Sequence, residues 1–179
     1  MTLLAARTLA AAYDGRTIFA GLDLSLDAGT YALTGRNGTG KSTLLRLLSG
    51  AQRPSAGRVS IDGHDLVRDP IAARRRLSYV PDESPAYPFM TGAELLHLVS
   101  TARRAGPDPL VDELVTAFGL AAHLGARFDA ISLGTQKQLL LAAGWIGRPR
   151  VILFASHDAE FVAETGATVI PLETLAAAA

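Results

Sequence analysis

The chain has 179 residues, with 17 basic and 17 acidic side chains and no cysteine. This length can bury one hydrophobic core, so we expect one domain, and the balanced charge argues against a broad nucleic-acid-binding surface. The lack of cysteine excludes disulfides and thiolate metal ligands. No apolar run approaches the roughly 20 residues of a membrane span, so we expect that any role at a membrane needs a partner protein.

Alternating and buried patterns predict strands in the first third of the chain. Residues 16–29 (RTIFAGLDLSLDAG) alternate apolar and polar positions, and the preceding pair Asp14 and Gly15 is typical of a hairpin turn. Residues 30–35 (TYALTG) predict a short buried strand that runs into glycines, and residues 42–50 (STLLRLLSG) predict a helix that ends at a glycine. Residues 57–63 (GRVSIDG) return to strand alternation.

A helical segment is predicted from about residue 90 to residue 147. Thr91 and Glu94 match a capping box for a first helix, and a second helix begins at about Pro109. A third helix begins after Ser132 and is apolar nearly all round, so we expect it to be buried on most sides. Strand character returns at residues 151–154 (VILF), which predicts an α/β domain with a helical insertion.

Residues 35–43 (GRNGTGKST) fit the pattern of glycine, four residues, then Gly-Lys-Ser/Thr, and they lie between a predicted strand and a predicted helix. The glycines let the backbone turn sharply and aim its amides at phosphate oxygens, while the helix adds its positive N-terminal end. Lys41 supplies a charge to the β- and γ-phosphates, and Ser42 supplies a hydroxyl to Mg²⁺. We predict that a nucleoside triphosphate with Mg²⁺ binds here. The predicted binding residues are Gly35, Arg36, Asn37, Gly38, Thr39, Gly40, Lys41, Ser42 and Thr43.

Together with residues 132–136 (SLGTQ) and the helical insertion, this loop resembles the ATP-binding subunit of an ABC transporter. The resemblance implies a P-loop NTPase (RecA-like) core with an N-terminal antiparallel β-subdomain, so that residues 1–179 form a single ATP-binding domain. It also implies that the signature sequence binds the γ-phosphate of ATP held by the opposite subunit. Ser132, Gly134 and Gln136 match that signature, while Leu133 and Thr135 are variant choices. Ser132 can also cap a helix whose free amides favour an anion.

Two further positions match the family. Tyr13 lies where the family places an aromatic ring under the adenine, although an ordinary tyrosine at a strand end stays an alternative. Asp82 stands where the family has a glutamine, sometimes a glutamate, that contacts the metal and links the site to the membrane subunit. The surrounding segment with Pro81, Pro85 and Pro88 is then the surface that meets this subunit, or else a loop that covers the helical subdomain.

The stretch 151–158 (VILFASHD) lacks the acids that the family places at this strand end. In the family, an aspartate that supports Mg²⁺ and a glutamate that activates water follow the strand, and a loop, a helix and another strand precede a histidine that senses the γ-phosphate. His157 matches that histidine, and Asp158 beyond it on the same strand exit is disfavoured as a replacement for the acids. The resemblance therefore implies an internal deletion between Phe154 and Ala155. We also expect the sheet to be one strand short, or the run VILFA to occupy only one of the two strand positions that the family has here. We expect poorly covered apolar surface on the neighbouring strands and a less stable chain.

The resemblance implies an ATP-binding subunit that binds Mg-ATP and drives transport through a transmembrane subunit. Pairing with a second ATP-binding subunit, identical or different, and a cytoplasmic location at the inner membrane face follow in the same way. Lys41 and His157 are the predicted catalytic residues, but hydrolysis is expected to be slow because the acids are missing. Two alternatives remain open at this point. They are a nucleotide-binding module without catalysis and a P-loop kinase of small molecules.

Overall fold

The computed structural model describes residues 1–13, 16–81 and 88–176. The chain divides into two compact units, one formed by residues 1–79 and 150–179 and the other by residues 80–149. The predicted helical segment, residues 90–147, falls inside the second unit. Asp14, Gly15 and Asp82 lie outside the described residues, as does the side chain of Tyr13.

An antiparallel sheet forms the N-terminal part of the first unit. Its strands are β1 (Leu4–Tyr13), β2 (Arg16–Leu26), β4 (Ala56–Ile61) and β5 (His64–Asp65), in the order β2-β1-β4-β5. Alternation decides which face is inward, since Leu4, Ala6 and Leu9 of β1 are fully buried while Arg7 is exposed. The antiparallel β-subdomain expected from the sequence is therefore confirmed.

A parallel sheet carries the phosphate loop. Its strands are β6 (Leu77–Val80), β7 (Val151–Ala155), β3 (Gly29–Thr34) and β8 (Thr168–Pro171), in the order β6-β7-β3-β8. The helices of this unit are α1 (Lys41–Ser49), α2 (Pro70–Arg75), α6 (Ala159–Glu164) and α7 (Leu172–Ala176). Leu33 of β3 pairs in parallel with Ala155 on one side and with Ile170 on the other. The C-terminal ends of these three strands therefore meet at the loop that follows β3.

Strand β7 occupies a single position in the sheet, between β6 and β3. None of its five residues is more than 5% exposed. Val151 and Leu153 belong to the core cluster that also contains the leucines of α1, and the ring of Phe154 meets Phe161 of α6 edge-on, with 6.0 Å between centroids. The expectation of poorly covered apolar surface is wrong for the aliphatic residues of β6 and β3, which are buried, but Val169 on the edge strand β8 is 48% exposed. Because β6 and β3 lie on either side of β7, neither edge of β7 is open.

The second unit is helical. It contains α3 (Gly92–Arg103), α4 (Pro109–Ala117), short 3-10 turns at Leu120–His123 and Phe128–Ala130, and α5 (Leu133–Trp145). Thr91 and Glu94 form the predicted capping box at the start of α3. Asp108 caps α4 and accepts two hydrogen bonds of 3.0 Å from Arg148. No helix in the described ranges combines the length and apolar character that a membrane crossing requires.

Candidate nucleotide-binding site

The loop between β3 and α1 turns on glycines with left-handed backbone. Gly35, Gly38 and Gly40 have φ angles of 139°, 77° and 101°. At Gly40 an added Cβ would lie 2.8 Å from both Ile18 Cγ2 and Phe19 Cζ, so both the backbone conformation and the space require glycine. The loop is thereby held against β2 at the point where α1 begins.

Lys41, the first residue of α1, lies inside the curve of the loop. Its side chain is only 5% exposed, and Nζ donates hydrogen bonds to the carbonyl oxygens of Gly35 at 2.8 Å and Arg36 at 2.9 Å. Thr39 Oγ1 also donates to the Arg36 carbonyl, at 2.8 Å. The ammonium group is therefore fixed at the centre of the loop, which is where the sequence pattern predicts a positive charge that contacts phosphate.

The N-terminal end of α1 fits an anion. Gly40 is its N-cap and offers no side-chain hydrogen bond, and the first turn contains no acidic residue. The first amides of a helix have no intrahelical acceptor, so here they can donate to phosphate oxygens. Ser42 is half-buried, and its hydroxyl makes no hydrogen bond within the described part of the chain, so it can contribute a ligand to Mg²⁺. Asp82, the other predicted metal contact, lies outside the described residues.

The substitution Gly40→Ala is expected to destabilise the chain by about 1–3 kcal/mol, because alanine must adopt a strained backbone and its Cβ meets Ile18 and Phe19. Mg-ATP affinity should fall as well, since the α1 amides move. Thermal melts and calorimetric titration measure both effects. Gly38→Ala is the matched control, because it has a similar backbone strain, with a φ angle of 77°, but open space around its Cβ. Equal losses in the two variants would show that contact with β2 does not position the loop.

The exit of β7 brings His157 to the same end of the sheet. Ser156 is 2% exposed, and its amide donates to the Leu33 carbonyl at 3.3 Å, so the backbone is tied to β3 just before the histidine. His157 itself is exposed. Asp158 accepts hydrogen bonds of 3.0 Å from the amides of Glu160 and Phe161, which makes it the N-cap of α6. Its carboxylate is thus used by the helix, which argues against Asp158 as a replacement acid.

A cavity of about 530 Å³ joins the loop to this strand exit. It is lined by Gly35 and Arg36 of the loop, by Ser156, His157 and Asp158 after β7, and by Glu173 of α7. Sequence reasoning missed Glu173, which stands 137 residues beyond the loop residue that it contacts. The structure therefore brings Gly35 and Arg36 of the predicted loop and His157 to one cavity and adds the carboxylate of Glu173.

The signature residues belong to the second unit. Ser132 caps α5 as predicted, since its Oγ accepts a hydrogen bond of 3.1 Å from the Thr135 amide. Gln136 is directed inward, and its Nε2 donates to the carbonyl oxygens of Phe128 at 2.6 Å and Ile131 at 3.2 Å. Gly134 has open space around it. Gln136 thus fixes the turn before α5, while the start of α5 stays accessible.

Comparisons with known proteins agree on one family. The family model described as "ABC transporter" matches residues 19–155. The cytochrome c biogenesis ATP-binding export protein CcmA of Escherichia coli K12 is 36% identical over 151 residues, which cover 83% of this chain and 70% of that protein. A second CcmA protein, from Salmonella paratyphi A, is 35% identical over 147 residues, 82% of this chain and 70% of its own length.

Solved structures show the same fold. An ATP-binding subunit of an ABC transporter superposes with a TM-score of 0.77 at 21% identity, covering 95% of this chain and 85% of its own. CbiO1 from Clostridium perfringens, part of the ABC transporter complex cbiONQ, gives 0.66 at 18% identity over 95% and 84%. These findings give no support to a small-molecule kinase or to a purely regulatory module. Subunits of this family bind ATP with Mg²⁺ and pair with a transmembrane subunit. With the loop, the fold and these relatives in agreement, the chain belongs to the ABC transporter family as an ATP-binding subunit.

Proposed function

We propose that this chain binds Mg-ATP, pairs through it with a second ATP-binding subunit, and acts on a transmembrane partner while hydrolysing ATP only slowly by itself. The observation that carries the proposal is the exit of β7. The sheet leads from Phe154 through Ala155 and Ser156 directly to His157, with no carboxylate at the strand end. Binding uses the loop and α1, whereas fast hydrolysis needs a positioned base.

An internal deletion between Phe154 and Ala155 is part of this proposal. Strand β7 contains the apolar run that the family follows with acids, and two residues later the chain reaches the histidine that the family places after another strand. The apolar run and the histidine, which the family places on two different strands, are therefore both found at β7 and its exit. The first carboxylate after the strand, Asp158, is engaged in capping α6. At the exit of β7, no carboxylate therefore takes the place of the aspartate that supports Mg²⁺ or of the glutamate that activates water.

His157, Lys41 and Ser42 take their family roles in this proposal. Lys41 lies at the centre of the loop, and beside it the Ser42 hydroxyl makes no hydrogen bond with the residues that the structure describes. His157 is exposed on the cavity that reaches Gly35 and Arg36, the first residues of the loop, and its family role in sensing the γ-phosphate is proposed from this proximity. Bound Mg²⁺ would neutralise charge on the phosphates, and these three side chains would hold and orient them. Tyr13 remains the proposed contact for the adenine.

Pairing with a second ATP-binding subunit rests on the start of α5. By family resemblance, Ser132, Gly134 and Gln136 form the signature that binds a γ-phosphate held by another subunit. Ser132 and Gly134 are exposed at the start of α5, while the Gln136 amide holds the turn before it. The partner subunit can be identical or different. The membrane role places the chain in the cytoplasm at the inner face of the membrane, through its transmembrane partner.

Gly134→Asp is expected to weaken ATP-dependent association roughly tenfold or more, because a carboxylate would face the γ-phosphate of the opposite subunit. The substitution should not disturb folding. The nearest atom to the new Cβ is Ser132 Oγ at 3.8 Å, and an acid in the first turn of α5 suits the helix dipole. Sedimentation with a slowly hydrolysed ATP analogue measures the association.

The matched control is Gly125→Asp, which adds the same charge to the same unit at a glycine with nothing within 4 Å of its Cβ. It should associate like the unchanged chain. If the unchanged chain stays monomeric at all concentrations with the analogue, pairing of identical subunits is wrong. If both aspartate variants associate normally, the signature does not contact nucleotide.

A further inference from the structure

Glu173 places a carboxylate against the phosphate loop. Its Oε1 accepts a hydrogen bond of 3.2 Å from the Arg36 amide. A Cβ added to Gly35 would lie 2.9 Å from Oε1 and 3.2 Å from Oε2, so the carboxylate rests directly over the Cα atom of that glycine. The contact joins the first residues of the loop to α7.

The register of the sheet brings Glu173 to this place. Strand β8 runs parallel to β3, with Ile170 opposite Leu33 and Pro171 opposite Thr34. Glu173 therefore follows shortly after the point where β3 ends and the loop begins. Leu172 is only 1% exposed and anchors the start of α7, and Thr174 Oγ1 donates to the Pro171 carbonyl at 2.7 Å. The carboxylate is held at the loop by packing and by the register.

The surroundings of Glu173 favour its ionised form. Hydrogen bonds from its own backbone amide and from the Arg36 amide lower the pKa of this carboxyl below its ordinary value, and the charges of Lys41 and Arg36 lower it further. Glu173 is thus an anion at neutral pH. It adjoins the cavity that the loop shares with His157 and Asp158.

We propose that Glu173 is an internal anion that competes with the phosphates of ATP for the positive field of the loop, and so sets the affinity for ATP. The loop amides and Lys41 attract negative charge, and one such charge is already present in the chain. ATP brings several more into the same space, so repulsion must either weaken its binding or displace the carboxylate from Arg36. Displacement would release α7 from the loop, which links nucleotide binding to the C-terminal end of β8.

This inference rests on ATP binding at the loop, and it differs from a purely structural role for Glu173. If the side chain only shapes the loop through the Arg36 amide, Glu173→Gln keeps an acceptor and leaves the affinity unchanged, while Glu173→Ala lowers it. If Glu173 competes with phosphate, both variants bind ATP more tightly. The two roles therefore predict opposite results for the alanine variant.

The experiment is a calorimetric titration of Mg-ATP into the unchanged chain, Glu173→Gln and Glu173→Ala at low and high salt. We expect both variants to bind roughly two- to fivefold more tightly at low salt, as for an exposed charge pair, and the gain to shrink at about 1 M salt. Glu164→Gln, which removes a carboxylate from the exposed end of α6, should change nothing. Equal or weaker binding by Glu173→Gln at low salt overturns the inference alone. Absence of Mg-ATP binding by all four chains overturns the assignment of ATP as well.

Hydrogen exchange tests the release of α7 separately. We expect the amides of residues 172–176 to exchange faster when Mg-ATP is added to the unchanged chain, and to exchange fast already in Glu173→Ala without nucleotide. Unchanged exchange on saturation with Mg-ATP would show that the carboxylate stays on Arg36, and would overturn the displacement. The affinity measurement does not depend on this result.

Discussion

Insertion of an acidic strand end, a loop, a helix and a further strand between Phe154 and Ala155 is expected to raise ATP turnover by about 10²–10⁴-fold, the usual contribution of a positioned general base. The chain as it stands already has the loop, Lys41 and His157, so the missing carboxylates are the main deficit. Phosphate release at saturating Mg-ATP measures the difference. Affinity for ATP should change much less, because the loop and α1 are common to both forms.

The control for this experiment is the same insertion with glutamine in place of its base glutamate. That form has the restored sheet but not the base, so it should turn over ATP about as slowly as the present chain. If the present chain hydrolyses ATP as fast as the restored form, another carboxylate has taken over the chemistry. Asp158 would be a poor candidate because it caps α6, so Asp82 and Glu173, whose carboxylate lines the same cavity as His157, would be the first positions to change.

The restored form need not be more stable. The sequence led us to expect exposed apolar surface on the strands beside β7, but β7 and the aliphatic residues of β6 and β3 are buried, and Val169 of β8 is the exception at 48% exposed. Burial of apolar surface contributes roughly 25 cal/mol per Å², so an added strand stabilises the chain only where it covers apolar surface that is now exposed. Turnover is therefore the measurement that decides the role of the gap, and a melt is a check on folding.

Local patterns explain what could be predicted from the sequence. The phosphate loop, the capping box at Thr91 and the cap at Ser132 each depend on a few neighbouring residues, and all three have the expected local structure. Alternation and short buried runs likewise predicted β2, β3, β4 and β7, whereas β6 and β8 were not predicted. The roles of Tyr13 and Asp82 stay predictions, because the structure does not describe those side chains.

What the sequence could not predict depends on register across the sheet. Glu173 reaches Arg36 only because β8 pairs with β3 at Leu33 and Thr34, and no nearby pattern marks that pairing. The position of β7 between β6 and β3 has the same origin, because it brings together strands that are distant in the chain. A partial signal existed for Glu173, as an acid just after the last strand of a parallel sheet falls at the edge where the loop lies.

Lys41→Ala is expected to weaken Mg-ATP binding by about 1.5–3 kcal/mol, the contribution of a hydrogen bond to a charged group, or roughly 10- to 150-fold in Kd. The side chain is 5% exposed, and its ammonium group is held inside the loop by hydrogen bonds to two loop carbonyls. Calorimetric titration with Mg-ATP gives the affinity.

The same substitution also removes two hydrogen bonds within the loop, to the carbonyl oxygens of Gly35 and Arg36, and this must be separated from the loss of charge at the phosphates. Arg46→Ala, on the exposed side of the last turn of α1, is the matched control because it removes a cation from the same helix without touching the loop. It should bind ATP like the unchanged chain. Because Arg36 is exposed and Gly35 is half-buried, water can reach both carbonyls, so Lys41→Ala should still melt cooperatively. A folded Lys41→Ala chain with unchanged affinity would place the phosphates away from this ammonium, and would remove the loop from the binding site.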